Sequence, residues 1–146
     1  MTAILYRAPA GVAGDITRPD DTIVEPAYIG DGQALEYGDA VKMVDGKLQK
    51  AEETAGLYGI LSRVAPSESG GLGEAYTDGT PNPAQVQGVV VAGYILVKCA
   101  DGDPVRGKAP TLDANGFSGN GDDDLSKIRW ATDGKDENGL AEIRLG

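Results

Sequence analysis

Glycine and proline set the first limit on what this chain can fold into. Together they number 30 of its 146 residues and recur throughout, so the backbone is interrupted too often for long helices. A helical bundle or a coiled coil is thereby ruled out. Leu, Val, Ile and Phe supply only 31 residues, about a fifth of the chain, close to the level at which chains stop burying enough apolar surface to fold. The expected core is thin, and the length suits one domain.

The side chains exclude further classes. With 13 basic against 23 acidic residues the net charge is −10, a field that repels phosphate backbones and anionic lipid. Neither nucleic acid nor a membrane surface is therefore an expected partner. The sequence contains no His, which removes the commonest general base, the usual catalytic triad and most transition-metal sites. Cys99 is the only cysteine, so no disulfide forms within the chain; it reads as a small buried thiol. The first ten residues lack the apolar stretch of a secretory signal, and the longest apolar run, Val89 to Val97, is too short to span a membrane.

Along the chain, residues 1–33 carry Pro9, Pro19 and Pro26 and apolar residues in no regular period. They read as an extended N-terminal arm with short β pieces, too apolar to stay in solvent. From Val41 to Lys50 two alternating runs flank Asp45-Gly46, the signature of a β-hairpin. Leu57 to Val64 suits a strand with a close backbone approach at Gly59, and Val86 to Cys99, with Val89-Val90-Val91 unbroken, suits a strand covered on both faces. Residues 66–85 and 113–124 are rich in Gly, Pro, Ser and Asp and read as long loops. In the closing segment Ile128 and Trp130 point opposite to Arg129, and Ala141, Ile143 and Leu145 opposite to Glu142 and Arg144, which predicts a C-terminal hairpin. The expected class is all-β, a small barrel or jelly-roll-like sandwich spanning residues 34–146 behind the arm.

No chemical constellation stands out. Asp122-Asp123-Asp124, with Asp113 and Asn115, is the one cluster of hard oxygen ligands suited to Ca²⁺. As an EF-hand loop from Asp113, however, it has Phe117 and Ser118 where a ligand and a glycine belong, and a solvated acidic loop is the simpler reading. The serines have no His and no elbow motif beside them, and Gly70-Gly71-Leu72-Gly73 lacks the Lys and hydroxyl of a phosphate-binding loop. No catalytic residue, metal or cofactor is expected, and the chain reads as a non-enzyme. Trp130, in an alternating strand, reads as a core residue or a subunit contact; an aromatic platform for a glycan is the alternative.

The run from Arg7 to Pro19, taken with Glu36-Tyr37-Gly38-Asp39-Ala40-Val41, resembles the capsid cement, or decoration, proteins of tailed bacteriophages. The likeness continues through Leu57-Tyr58-Gly59-Ile60-Leu61, the Gly102 to Val105 turn and the closing hairpin. The resemblance implies a structural virion protein made in the bacterial cytoplasm and bound as a homodimer or homotrimer to the outer capsid surface, where it bridges copies of the major capsid protein. A thin core beside an apolar arm also asks for partner surfaces. Tyr6, Val12, Ile16, Ile23, Val24 and Trp130 are the expected capsid or subunit contacts. A β-rich glycan-binding or host-attachment module of a phage particle is the alternative, with Trp130 and the loop 66–85 as its recognition face.

Overall fold

The computed structural model describes residues 13–54, 56–63, 81, 83–119 and 127–146. Nine strands are formed among them: β1 (Ile23–Ile29), β2 (Ala40–Val44), β3 (Lys47–Lys50), β4 (Gly59–Ser62), β5 (Gln87–Lys98), β6 (Thr111–Asp113), β7 (Gly116–Ser118), β8 (Ile128–Trp130) and β9 (Leu140–Leu145). The only helical element described is one 3-10 turn at Pro19–Asp21.

Five strands close a barrel. The order β1-β3-β2-β4-β5 returns to β1, which pairs in parallel with β3 at Tyr28↔Lys47 and Ile29↔Leu48, and antiparallel with β5 from Ile23↔Ala92 to Ala27↔Gln87. Closure leaves the barrel strands without a free row of backbone donors and acceptors. Of the two expected all-β architectures, the barrel is therefore the one found. The β2–β3 hairpin turns at Asp45 and Gly46, both at positive φ (52° and 83°), as a tight two-residue turn with the twist of its strands requires.

The longest strand, β5, runs out of the barrel. Its first half pairs with β1 and β4, and its second half, Gly93 to Lys98, pairs with β9, which in turn pairs with β8. The change of partner falls at Gly93 (φ 119°), where a Cβ would lie 2.4 Å from Thr22 Oγ1 and 2.5 Å from Thr22 Cα. The Tyr94 N–H then donates to Thr22 Oγ1 (3.2 Å), fastening the start of the extension to the segment before β1. The close approach expected at Gly59 is also present: a Cβ there would meet the Val90 carbonyl oxygen at 2.4 Å.

Two apolar clusters result. One draws Ala27 and Ile29 (β1), Val41 (β2), Leu48 (β3), Leu61 (β4) and Val89 (β5) into the barrel interior. The other joins the opposite face of the barrel strands, Ala40, Ile60 and Val90, to Ile95, Val97, Phe117, Ile128, Trp130, Ala141, Ile143 and Leu145 of the extension. Successive residues 89 and 90 thus serve different cores, which explains the unbroken Val run. Each fully buried Val, Leu or Ile contributes about 1.5–3 kcal/mol of transfer free energy.

Two sequence expectations change. The segment expected as an arm through residue 33 is, from residue 13 onward, part of the body. Ile16 bridges Ile95, and Gly14 and Thr17 donate to the carbonyls of Leu96 (2.8 Å) and Tyr94 (3.4 Å) along the free edge of β5. Among the described apolar side chains of this segment, Ile16, Val24 and Ile29 pack against this chain's own strands. The loop expected over 113–124 is a strand in its first part: β6 and β7 form a hairpin, tied to the barrel extension by the Cys99↔Phe117 bridge. Its remaining part and nearly all of the loop expected at 66–85 lie outside the described residues.

Candidate interaction surface

The expected contact residues fall in different places. Tyr6 and Val12 lie outside the described residues. Ile16 and Val24 are partly buried and pack against the second apolar cluster. Ile23 is 58% exposed, at a register shift where β1 leaves regular pairing with β5, and Tyr28, further along the same strand, is 52% exposed. Sequence reasoning passed over Tyr28, although its alternation with buried Ala27 and Ile29 marks it as outward-facing.

Of the two readings open for Trp130, the core one holds and the surface contact does not. It is 1% exposed, and its indole N–H donates to the carbonyl oxygen of Gly119. A buried indole with its donor satisfied fills the core. It is neither a subunit contact on the surface of this chain nor a platform for stacking a sugar ring.

One corner of the body gathers side chains that no motif had marked. Arg63, just after β4, donates its backbone N–H to the Gly14 carbonyl (2.9 Å) and its Nε to the Ala13 carbonyl (2.7 Å). Its guanidinium lies over the Tyr37 ring, 4.8 Å from the centroid, and its Nη1 is buried without a hydrogen-bond partner. Gly14, at φ 92°, allows this approach, since a Cβ there would stand 2.8 Å from Tyr37 Cβ. The consequence is topological. Residue 13, where the chain leads back into 1–12, and residue 63, where it leads on into 64–80, are held together at one point of the surface.

A second clasp holds the extension. Glu142, buried in β9, accepts from Thr17 Oγ1 and lies 3.5 Å from Arg18 Nη2, while the Arg18 guanidinium sits 4.1 Å from the centroid of the Tyr94 ring. On the barrel, the Tyr58 hydroxyl donates to Glu25, and this bond to a carboxylate is the main cause that raises the phenol's pKa. Burial raises the pKa of Asp39, whose Oδ2 accepts from the Glu36 N–H at 2.9 Å. Burial likewise raises that of the Cys99 thiol, which donates to the carbonyls of Asp101 and Gly102 (3.3 and 3.5 Å). A raised thiol pKa means less thiolate and a less reactive sulfur. Among the described residues no group of three or more acidic or cysteine side chains is arranged to hold a metal ion.

Comparison with known proteins bears on the whole chain. The family model described as structural cement protein (E217 gp24/Pam3 gp6) matches residues 2–146. Among solved structures the chain is similar to one from "The capsid of Myoviridae Phage XM1". The two share 16% sequence identity with a TM-score of 0.61, over 91% of this chain and 88% of that one. At that identity the likeness concerns the fold. No curated protein sequence matches. With a barrel whose fold recurs in a phage capsid chain and a family match that leaves only the first residue uncovered, this protein belongs to the family of phage structural cement proteins.

Proposed function

We propose that the protein is a capsid decoration protein that binds the outer surface of the phage head and stabilises contacts between subunits of the major capsid protein. The observation that carries this reading is the family match over residues 2–146, which gives a structural role in the capsid. The corner at Arg63 supports the finer reading. There the described body is joined at Ala13, Gly14 and Arg63, from which the sequence continues into 1–12 and into 64–80. Paired tethered segments engage a surface together, because binding of one raises the effective concentration of the other. The body acts as a rigid spacer, and Tyr6, Val12, Ile23 and Tyr28 are the contacts proposed toward the capsid or a second copy of this chain. The protein works without catalysis and as a homodimer or homotrimer.

The reading is tested by adding the purified protein to expanded heads that lack it and heating them. Decorated heads should stay intact to a higher temperature than bare ones, and an unchanged disruption temperature contradicts the reading.

A further inference from the structure

Three large apolar side chains are exposed among the described residues, Ile23, Tyr28 and Val105, and two of them stand at opposite ends of one strand, β1. Pro26 is exposed between them. Five residues of strand separate Ile23 from Tyr28, about 17 Å at 3.3–3.4 Å per residue.

The two ends differ in charge. Asp20 and Asp21 are exposed in the 3-10 turn that leads into Ile23. Neither has a cation within salt-bridge distance among the described residues, since the nearby Arg18 is taken up by Glu142 and the Tyr94 ring. Glu25, the acid within the strand, is engaged by the Tyr58 hydroxyl. At the other end Tyr28 pairs with Lys47 of β3, and Lys47 with Val44 of β2. Their neighbours Ile29 and Leu48 are buried, and Met43 packs against the same interior cluster, so Tyr28, Lys47, Val44 and Lys42 share the outward face. Lys42 is exposed and has no carboxylate within salt-bridge distance among the described residues. Lys47 reaches only Asp31, at 4.0 Å and with both side chains at least half exposed. A pair of that kind contributes little and leaves the ammonium free to find another partner. Asp45 lies past the two lysines, at the hairpin turn.

A strand with an apolar anchor beside acids at one end and an apolar anchor beside lysines at the other is complementary to itself when reversed. A two-fold axis makes that reversal, and a two-fold interface demands such a surface, because each contact occurs twice with the roles exchanged. We infer that β1 is the two-fold interface of a dimer. A second copy of this chain docks on its outer side, with Ile23 of each copy against Tyr28 of the other and Asp20 and Asp21 facing Lys47 and Lys42. The inference rests on the reading of the protein as a homo-oligomer and adds the face, the symmetry and the pairs. A second copy is the occupant because both complementary halves are present on this chain.

Sedimentation equilibrium of the full-length protein and of Tyr28→Ala, Asp21→Lys and Lys47→Glu tests this without heads. The parent should be a dimer. Each variant should raise the dimer dissociation constant about tenfold, through loss of an anchor or through like charges that meet twice. All three side chains are exposed, so melting temperatures extrapolated to low protein concentration should stay near the parent's. Mixing Asp21→Lys with Lys47→Glu should restore parental affinity, because in the mixed dimer every Lys faces an acid. A parent that is monomeric or trimeric overturns the two-fold interface, as does a dimer that none of the three variants weakens. Weakening by the charge variants with no recovery on mixing overturns the pairing of Asp21 with Lys47. Binding of any of these proteins to heads is scored separately, so a monomer or trimer that still decorates heads leaves the cement reading standing.

Discussion

Arg63 donates its Nε to the carbonyl oxygen of Ala13 at 2.7 Å, across fifty residues of sequence. With the backbone bond from Arg63 to Gly14, this makes residue 13 the point at which the body begins.

Two truncations should therefore behave differently. Removal of residues 1–12 leaves every described backbone pairing in place and should change the melting temperature little. Removal through Thr17 strips the Gly14–Leu96, Thr17–Tyr94 and Thr17–Glu142 bonds from the edge of β5. At about 0.5–1.5 kcal/mol per hydrogen bond, the longer deletion should cost several kcal/mol. Thermal melts of the two proteins check this; equal stability would mean that residues 13–17 are dispensable to the fold.

Gly93 and Gly107 give a matched pair. Both have positive φ (119° and 89°), but a Cβ at Gly93 would collide with Thr22 while one at Gly107 would meet nothing within 4 Å. Gly107→Ala should cost about 1 kcal/mol from backbone strain alone. Gly93→Ala adds a steric overlap with backbone atoms and should cost several times more or prevent folding. Denaturant midpoints of the two variants measure the difference.

Trp130 separates core from contact. Trp130→Ala should destabilise the protein by about 3–5 kcal/mol, whereas Trp130→Phe loses chiefly the bond to Gly119 and should cost about 1–3 kcal/mol. The folded Phe variant should bind heads as the parent does. Native tryptophan fluorescence, blue-shifted and poorly quenched by iodide, provides the parallel check.

Asp39 sets a pH dependence. Burial raises its folded pKa above the unfolded value, so its contribution to stability is fully present below the unfolded pKa and is lost as pH rises through the folded one. Asp39→Asn keeps an oxygen for the Glu36 N–H and removes the ionisation. The variant should be the more stable protein at neutral pH, with its advantage shrinking as pH falls through the carboxylate range. Melting curves between neutral and acidic pH check this, and an advantage independent of pH contradicts it.

What was legible in the sequence was what turns and alternation decide locally. Asp45-Gly46 fixes the β2–β3 hairpin, and alternation around Ile128, Trp130 and Ile143 marks the closing one. Even Gly59 was readable, because a glycine within an apolar strand signals a close backbone neighbour. The role of residues 13–29 was not, since β1 finds its partner β5 sixty or more residues later and nothing in its own irregular pattern names that partner. The pairing of Arg129 with Arg144 was hidden for a related reason. Arg129 and Arg144 become neighbours only through the β8–β9 register, which a nine-residue connection does not set in advance. Trp130 was read from its alternation, which gave the side chain's direction but not whether the surface it faced belonged to this chain.

We propose that this cement protein holds the head together from outside. The most direct test is co-sedimentation of the purified protein with expanded heads that lack it. Saturable binding, at a fixed number of copies per head, to intact heads whose interior is inaccessible is the predicted result. A folded protein that stays in the supernatant over a range of salt concentrations would contradict it.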